Sequence, residues 1–218
     1  MWRFLMLLCT LYFYRSKSAF FKYVRTRSGF TVREQVRIID AYEEMEEVFK
    51  DVRRESRAPY MTHLHAVAVI VLIYQKSREP DEVIAALLHD LLEDFGESWS
   101  KERIGTQYGQ RVAGYVDSLT KLSHIYCLSK EECDSAYHAS FQRAGDSVTR
   151  IKLADRVHNN VTLFYRPLAK QLYKIVETLE HYIPLAQQKG ILAEELSVSI
   201  TFARFVASFK RAKKQAKA

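Results

Sequence analysis

Four polar residues that follow an apolar run have the types and the spacing of a metal site with its own acidic groups. Residues 87–96 read LLHDLLEDFG. His89 and Asp90 are adjacent, and a buried imidazole or carboxylate is costly unless it is paired, hydrogen-bonded or bound to a metal. Glu93 and Asp94 follow within one helical turn, where the helix dipole disfavours acids unless a cation lies nearby. The segment therefore predicts a metal-binding turn, and the alternative is a solvated helix end.

Two further segments contain side chains of the same kind. PYMTHLHAVA contains His63 and His65, which point to different sides of a helix, so at most one is expected to face a shared site. KLADRVHNN contains Asp155 and Asn159, which are four residues apart and share a helical face. A mixed set of imidazole and carboxylate ligands suits manganese, iron or zinc better than calcium or magnesium. Together the segments predict a metal centre with open positions for water and substrate oxygens.

The elements that hold these side chains are predicted to be helices. Only 7 glycines and 4 prolines punctuate the 218 residues, which favours helices over many short strands. Residues 32–52 show the apolar spacing of an amphipathic helix, and Pro80-Asp81 opens a buried helix that Gly96 ends. We therefore predict an all-α fold of about eight to ten helices.

The other predicted elements follow from the same periodicity. The β-branched run in residues 61–76 suits either a helix or a strand, and residues 123–148 are polar and mixed, with no helix predicted. Helical patterns also cover residues 101–108, 112–122, 147–164, 168–187 and 192–214.

These segments resemble the HD superfamily of metal-dependent phosphohydrolases, and more specifically the alarmone-hydrolase domain of RelA/SpoT proteins. The resemblance spans residues 35–190 and implies an all-α HD-domain helical bundle. The stretches that carry it, in family order, are RESRAPYMTHLHAVA, ALLHDLLED, YVDSLTKL, IKLADRVHNNVTL and ETLEHYIPLA.

The resemblance implies a role for each matched residue. It implies manganese as the metal, held by His63, His89, Asp90 and Asp155. It implies two acidic catalytic residues, Glu93 and Asp94, and leaves His65 as a bystander. The substrate contacts that it implies are Arg54, Ser56, Asn159 and Thr162.

The implied reaction is hydrolysis of the 3′-diphosphate of ppGpp or pppGpp, which gives GDP or GTP and pyrophosphate. The metal ion would polarise a phosphoryl oxygen and lower the pKa of water, and basic groups would offset the substrate's charge. Such an enzyme, a single-domain small alarmone hydrolase, would lower a stringent-response signal or neutralise a toxic alarmone synthetase.

The chain departs from the family pattern in the loop RESRAPY. Glu55 stands where the family usually has a basic or amide residue, and Arg57 stands where it has glycine. Val161 stands in place of a usual arginine. These differences leave open the choice between (p)ppGpp and the adenine alarmones (p)ppApp. Two other functions also stay open: an NADPH 2′-phosphatase or other nucleotide phosphohydrolase of the same fold, and a non-catalytic nucleotide-binding regulator.

The two ends of the chain carry much of its net charge of +7. We predict an N-terminal apolar and basic extension (residues 1–30), the hydrolase domain (31–205) and a basic C-terminal tail (206–218). The apolar stretch FLMLLCTLYFY is too short to cross a bilayer, which needs about 20 residues. It is predicted to form an N-terminal helix packed on the domain, and the alternatives are an interfacial anchor and a mis-chosen start codon. The tail is interpreted as solvated, so neither specific nucleic-acid binding nor membrane contact is predicted. The oligomeric state stays unknown.

The cysteines indicate the cellular compartment in which the protein is expected to lie. There are three of them, Cys9, Cys127 and Cys133, and no pair has C-x-x-C spacing. The odd number and the spacing argue against a disulfide framework and a zinc knuckle, so reduced thiols and a cytoplasmic location are predicted.

Overall fold

The computed structural model describes residues 1–121 and 129–215, and it confirms the all-α fold class. Within these ranges, the β-structure is limited to one isolated bridge between Arg53 and Pro59. The α-helices are α1 (Trp2–Phe13), α2 (Lys17–Thr26), α3 (Val32–Val48), α4 (Met61–Val69), α5 (Pro80–Leu88), α6 (Leu91–Phe95), α7 (Lys101–Tyr108), α8 (Gln110–Leu119), α9 (Lys130–Arg143), α10 (Asp146–Val161), α11 (Leu168–Glu177), α12 (Ile183–Lys189) and α13 (Ala193–Gln215).

Three short helical turns of other types extend these helices. The β-branched segment after α4 forms a π-helical turn, Ile70–Tyr74, so of its two alternatives the helix is correct. A second π-helical turn, Thr178–Tyr182, joins α11 to α12, and a 3-10 turn, Leu163–Tyr165, follows α10. No helix in the described part of the chain is both long and apolar enough to cross a bilayer.

The helix α5 is the centre of the bundle. It packs against α3, α4, α8 and α10, which explains why its sequence is apolar on every side. Every residue from Glu82 to Leu88 is buried. Burial of so many apolar side chains supplies the main favourable contribution to folding. The carboxyl end of α5 is therefore a rigid support for the residues that follow it.

The predicted helix over residues 80–95 is divided at the histidine–aspartate pair. His89 ends α5, and Asp90, with φ −98° and ψ 0°, precedes the first residue of α6. The short α6 then carries Glu93 and Asp94 in its only turns. The division sets the acidic pair on an element separate from the buried helix.

The predicted N-terminal extension and C-terminal tail are both helical in the described residues. Leu7 of α1 and Phe20 and Val24 of α2 belong to the same hydrophobic core as α5. The helix α13 continues across the predicted boundary at residue 205, and its Ile200 and Ala203 form a smaller cluster with Ile175 of α11. The pattern over residues 112–122 corresponds to α8, while its last residue, Leu122, lies outside the described ranges, as do the final three residues of the tail.

The prediction of reduced cysteines is wrong for one of them. Cys9 is free and exposed on α1. Cys133 on α9 is disulfide-bonded. The third cysteine, Cys127, lies outside the described residues. Because the spacing of cysteines along a chain does not fix their separation in space, the odd count could not exclude one disulfide.

Candidate active site

Four predicted metal ligands meet where α4, α10 and the end of α5 converge, and we call His63, His89, Asp90 and Asp155 the metal cluster. His63 Nε2 lies 3.2 Å from Asp155 Oδ1 and 3.6 Å from Asp90 Oδ2. His89 Nε2 lies 3.1 Å from Asp90 Oδ2 and 3.8 Å from Asp155 Oδ1. Both imidazoles are almost fully buried, so three separate segments of the chain converge on one enclosed point.

The donor atoms of this cluster fit a metal ion. His89 Nδ1 is 2.9 Å from the carbonyl oxygen of Ala86, to which it donates, so Nε2, which faces the carboxylates, is the ring nitrogen that can bind a metal ion or a proton. That Nε2 atom is buried and has no hydrogen-bond partner in the described part of the chain. One donor atom each from His63, His89 and Asp90 lie within 4.8 Å of one another. A cation between them would satisfy the unpartnered nitrogen and the Asp90 carboxylate.

The electrostatics of the cluster favour positive charge. Burial by itself would lower the pKa of His89, but Asp90 and Asp155 raise it to about 10. Burial would likewise raise the pKa of Asp155, yet Lys152, His63 and His89 hold it well below its usual range. The two carboxylates therefore stay ionised, and their field attracts a proton or a metal ion to the space between the imidazoles.

Second contacts orient each ligand. Tyr60 donates to Asp90 Oδ2 at 2.7 Å, and Asn159 Nδ2 donates to Asp155 Oδ1 at 2.5 Å. Lys152 Nζ lies 3.3 Å from Asp155 Oδ2. His158 Nδ1 lies 2.7 Å from His63 Nδ1. Such contacts fix the rotamers and the tautomers of metal ligands.

Sequence reasoning did not assign a role to Tyr60 or His158. The available signal was helical spacing, because Tyr60 precedes His63 by three residues and His158 follows Asp155 by three. Residues three apart lie on the same face of a helix, so each was placed to contact a ligand.

The two predicted catalytic acids lie beside the cluster on α6. Glu93 lines the adjoining cavity, whereas Asp94 is not among the lining residues. Desolvation, and then the negative charges of Asp90 and Glu93, raise the pKa of Asp94 to about 6. Desolvation also raises the pKa of Glu93, against the attraction of Lys152. Both side chains can thus exchange a proton nearer to neutral pH than an ordinary carboxyl group can.

Three members of the cluster, His63, Asp90 and Asp155, line a cavity of about 320 Å3. The cavity is suited to a polyanion, because basic side chains from several helices and loops surround it. Two of them, Lys152 and Arg156, are buried and pair with acidic side chains. The basic lining residues are Arg53, Arg54, Lys121, Lys152, Arg156, Arg166 and Lys174.

Three of the four predicted substrate contacts are joined by hydrogen bonds beside this cavity, and two of them, Arg54 and Asn159, line it. Arg54 Nη2 donates to Asn159 Oδ1 at 2.9 Å and to Thr162 Oγ1 at 3.4 Å. Ser56 is not brought to them: its Oγ accepts from the backbone N–H of Ala58 at 3.4 Å, and it does not line the cavity. Asn159 therefore links the metal cluster, through Asp155, to the side chain that the family resemblance assigns to nucleotide binding.

The loop of residues 53–59 reads RRESRAP; we call it the RESRAP loop, and it carries Glu55 and Arg57, two of the departures from the family pattern. Arg57 has φ +67°, a left-handed conformation that glycine adopts at little cost and arginine does not. Glu55 pairs with Arg166 at 2.7 Å and with Lys170 at 3.4 Å. The left-handed backbone explains why the family usually has glycine at position 57. Glu55 neutralises part of the positive charge of Arg166 and Lys170 beside the cavity.

His65 lies away from the cluster, as expected of a bystander. Its Nε2 is 2.6 Å from the carbonyl oxygen of Tyr14, and its Nδ1 is 3.1 Å from the hydroxyl of Tyr42. Burial lowers its pKa, so it is a neutral core residue that ties α4 to the end of α1.

The comparison with known families agrees with this arrangement. The model of the HD domain family matches residues 41–192, well over half of the chain and all four residues of the metal cluster. The chain belongs to the HD domain family. The resemblance inferred from the sequence motifs is thereby confirmed.

Two curated relatives place this HD domain beside alarmone enzymes. A guanosine-3′,5′-bis(diphosphate) 3′-pyrophosphohydrolase of Haemophilus influenzae is 38% identical over 144 residues, which cover 63% of this chain and 20% of the relative. A GTP pyrophosphokinase of Streptomyces coelicolor is 34% identical over 152 residues, 69% of this chain and 18% of the relative. The chain thus spans about a fifth of the length of these relatives, one named for hydrolysis and one for synthesis.

A solved structure shares the fold of the HD domain. It is described as a metazoan ortholog of SpoT that hydrolyzes ppGpp and plays a role in starvation responses. The two superpose with a TM-score of 0.67 at 21% identity, over 76% of this chain and 94% of the other. The likeness extends over nearly the whole of that protein and establishes a common fold.

Proposed function

We propose that this HD domain is a manganese-dependent pyrophosphohydrolase that removes the 3′-diphosphate of (p)ppGpp-type alarmones. The observation that carries the proposal is the buried, unpartnered Nε2 of His89, which faces two carboxylates at one end of a cavity lined with basic side chains. Such a site unites a cation-binding cluster with a polyanion-binding cavity. The names of the relatives supply the substrate class.

The metal cluster would hold the ion through two imidazole nitrogens and two carboxylate groups. That donor set suits manganese, and the Tyr60 and Asn159 hydrogen bonds pre-orient both carboxylates. When bound, the ion supplies charge that polarises a phosphoryl oxygen and lowers the pKa of water. The ligands are therefore expected to be needed for activity rather than for the choice of substrate.

The acidic pair on α6 is proposed to manage the proton of the attacking water. Glu93 is placed for this role because it lines the cavity next to the cluster, and desolvation raises its pKa above that of an ordinary carboxyl group. Asp94 lies farther from the cavity, and its proposed role is to steer Glu93 and Asp90 through its charge. The two acids are expected to differ in effect, with the larger loss from Glu93.

The rest of the cavity is proposed to position the alarmone. Arg54, Asn159 and Thr162 form one connected group that would hold the nucleoside near the scissile phosphate. Buried Lys152 and Arg156 would offset the substrate's negative charge. Their attraction for the substrate becomes stronger as water is excluded from the cavity. Ser56 is proposed to contact the base only after the RESRAP loop moves.

The decisive experiment is product analysis on a panel of nucleotides. Manganese-loaded protein is incubated with ppGpp, pppGpp, their adenine counterparts and NADPH, and products are separated by anion exchange. We expect pyrophosphate with GDP or GTP, or with the adenine nucleotides, and loss of turnover in Glu93→Gln. The control is Glu97→Gln, an exposed residue outside the cavity, which should retain activity.

Other outcomes of the same panel decide between the alternatives. Release of phosphate from NADPH alone would assign the chain as a 2′-phosphatase. Tight nucleotide binding without turnover would assign it as a non-catalytic regulator. If no alarmone is cleaved under any metal, the proposed hydrolysis is wrong.

The cellular role follows from the same activity. We propose that the enzyme acts in the cytoplasm, where it lowers an alarmone signal or neutralises an alarmone synthetase. Co-expression with a toxic synthetase tests this role: protection should be lost with Asp90→Ala, and retained protection would show that neutralisation does not depend on hydrolysis.

A further inference from the structure

The outward face of α1 is apolar along its whole length. The helix buries Phe4 and Leu7 against the core, yet Trp2 and Phe13 are 74% and 70% exposed. No charged residue occurs from position 4 to 14. A contiguous exposed apolar face of this kind marks an interaction surface. Its exposed members are Trp2, Leu5, Met6, Tyr12 and Phe13.

The net charge of the chain is concentrated next to this face. Seven of the 33 basic residues and none of the 26 acidic residues lie in the first 33 positions. The remaining residues, which include the basic C-terminal tail, carry 26 of each sign and are neutral as a whole. Five of the basic side chains in the N-terminal part are exposed and have no ion-pair partner among the described residues: Arg15, Lys22, Arg25, Arg27 and Arg33.

The apolar face and the basic residues form one continuous surface. Arg15 lies 4.6 Å from the ring centroid of Tyr12, at the end of α1. Tyr14, which follows α1, packs edge-on against Tyr23 of α2 at 5.5 Å between ring centroids. The apolar side of α2 is buried, so the side that it exposes is polar and basic.

We infer that α1 and α2 form a docking surface for a bilayer rich in anionic phospholipids. Aromatic and aliphatic side chains on one face of a helix, next to basic residues, are what an interfacial helix needs to lie in the plane of the headgroups. The 12 residues of α1 suit this orientation, because a helix that spans a bilayer needs about 20. The surface is separate from the proposed catalytic function, and it replaces the expectation that the chain avoids membranes.

Charge complementarity favours an anionic bilayer over two other occupants, a second copy of this chain and a nucleic acid. A second copy on the same face would bring the unpaired Arg15, Lys22, Arg25 and Arg27 close to the same residues of the first copy, which is repulsive. Nucleic acid would match the charge but would leave the apolar face of α1 in water. An anionic bilayer matches both the charge and the apolar face.

The chain carries its own reporter for this test. Of its two tryptophans, Trp99 is buried and Trp2 lies on the exposed face of α1. Full-length protein is mixed with vesicles of phosphatidylcholine alone or with added phosphatidylglycerol. We expect sedimentation with the anionic vesicles only, a blue shift of Trp2 emission, and release by high salt.

Two pairs of variants locate the surface. Leu5→Glu with Phe13→Glu should abolish vesicle binding, whereas the matched pair Phe202→Glu with Phe209→Glu, at 50% and 61% exposed positions of α13, should retain it. Lys22→Glu with Arg25→Glu should weaken binding by roughly tenfold or more, since each basic residue near the surface contributes about 1 kcal/mol. The control for this charge variant is Arg204→Glu with Arg211→Glu, which changes the net charge by the same amount on α13 and should retain binding.

Three results would overturn the inference. The first is the absence of binding to anionic vesicles by folded wild-type protein. The second is an equal loss in the α13 controls, which would assign binding to net charge or general hydrophobicity. The third is a dimer that dissociates with Leu5→Glu and Phe13→Glu, which would make the face an interface between copies. If that apolar variant does not fold by circular dichroism, the charge variants and the Trp2 emission decide.

Discussion

The metal cluster and the RESRAP loop, which share one cavity, are held in place in different ways. Three of the four ligands are buried, and every ligand has a second contact: His158 for His63, the Ala86 carbonyl for His89, Tyr60 for Asp90, and Asn159 for Asp155. The side chains of the loop are exposed or half-buried, and its backbone hydrogen-bonds largely to itself.

The difference separates the reaction from the choice of substrate. A ligand fixed by burial and by a second hydrogen bond cannot change type without leaving a buried group unpartnered. A residue of the loop can change while the surrounding structure stays in place, and Glu55 and Arg57 have changed from the family pattern. We therefore expect the proposed chemistry to match the family more closely than the specificity does.

The largest expected effect is at the metal cluster. Asp90→Asn removes one of the two carboxylates that face both imidazoles, so we expect loss of bound manganese and a fall in kcat/KM of about a thousandfold, or about 4 kcal/mol. Metal content by mass spectrometry and initial rates on ppGpp measure both. Full metal content in the variant would contradict the assignment of Asp90 as a ligand.

A smaller effect is expected from the contact behind that ligand. Tyr60→Phe removes the 2.7 Å hydrogen bond to Asp90 and keeps the ring that stacks on Phe49, so we expect a ten- to hundredfold loss of manganese affinity. A metal titration followed by activity measures it. Tyr115→Phe, whose hydroxyl contacts Arg111 on the surface, is the control. Equal losses in the two variants would argue against the orienting role.

The acidic pair predicts a pH dependence of stability in metal-free protein. Asp94 has a pKa of about 6 in the folded state, above its ordinary 3.8. Its favourable contribution to the free energy of unfolding is therefore present at low pH and is lost as the pH rises through about 4 to 6. Asp94→Asn should therefore stabilise the protein at pH 8 by about 1 kcal/mol after allowance for solvent screening, and by less at pH 4. Urea unfolding at both pH values measures the difference, with Glu97→Gln as control. If the variant and the wild type differ in stability by the same amount at both pH values, the raised pKa of Asp94 is contradicted.

The smallest effect is expected in the RESRAP loop. Arg57→Gly relieves the left-handed conformation at φ +67°, while the unfolded chain gains freedom, so a net stabilisation of about 0.5 kcal/mol is expected. Thermal unfolding measures it. Arg53→Gly, in the same loop without a positive φ, should destabilise. Destabilisation by both would show that the arginine side chain at position 57 has a contact of its own that matters more.

Some of the fold was readable from the sequence because the relevant signal was local. The apolar run before His89 predicted a buried helix, and α5 is that helix. The spacing of Asp155 and Asn159 predicted a shared face, and the two side chains are hydrogen-bonded. Periodicity and helical spacing depend only on neighbouring residues, so a single chain reveals them.

Other features depend on tertiary contacts that periodicity does not contain. The helix α9 went unpredicted because its sequence, KEECDSAYHASFQR, is largely polar, and Tyr137 and Phe141 become its anchors only once the core exists. The division of the helix at Asp90 is a backbone feature for which no glycine or proline gives a signal. The apolar stretch at the start was correctly expected to be a helix. Which side of α1 stays exposed to solvent depends on the helices that pack against it, and the apolar pattern alone does not show this.

The burial of α5 has a consequence for how the site is lost. Its amide groups are enclosed by four other helices, so hydrogen exchange there requires opening of nearly the whole bundle. His89 and Asp90 follow directly from its last turn. Local fluctuations therefore leave the two residues in register, and the ability to bind a metal ion should disappear in the same cooperative transition as the fold itself.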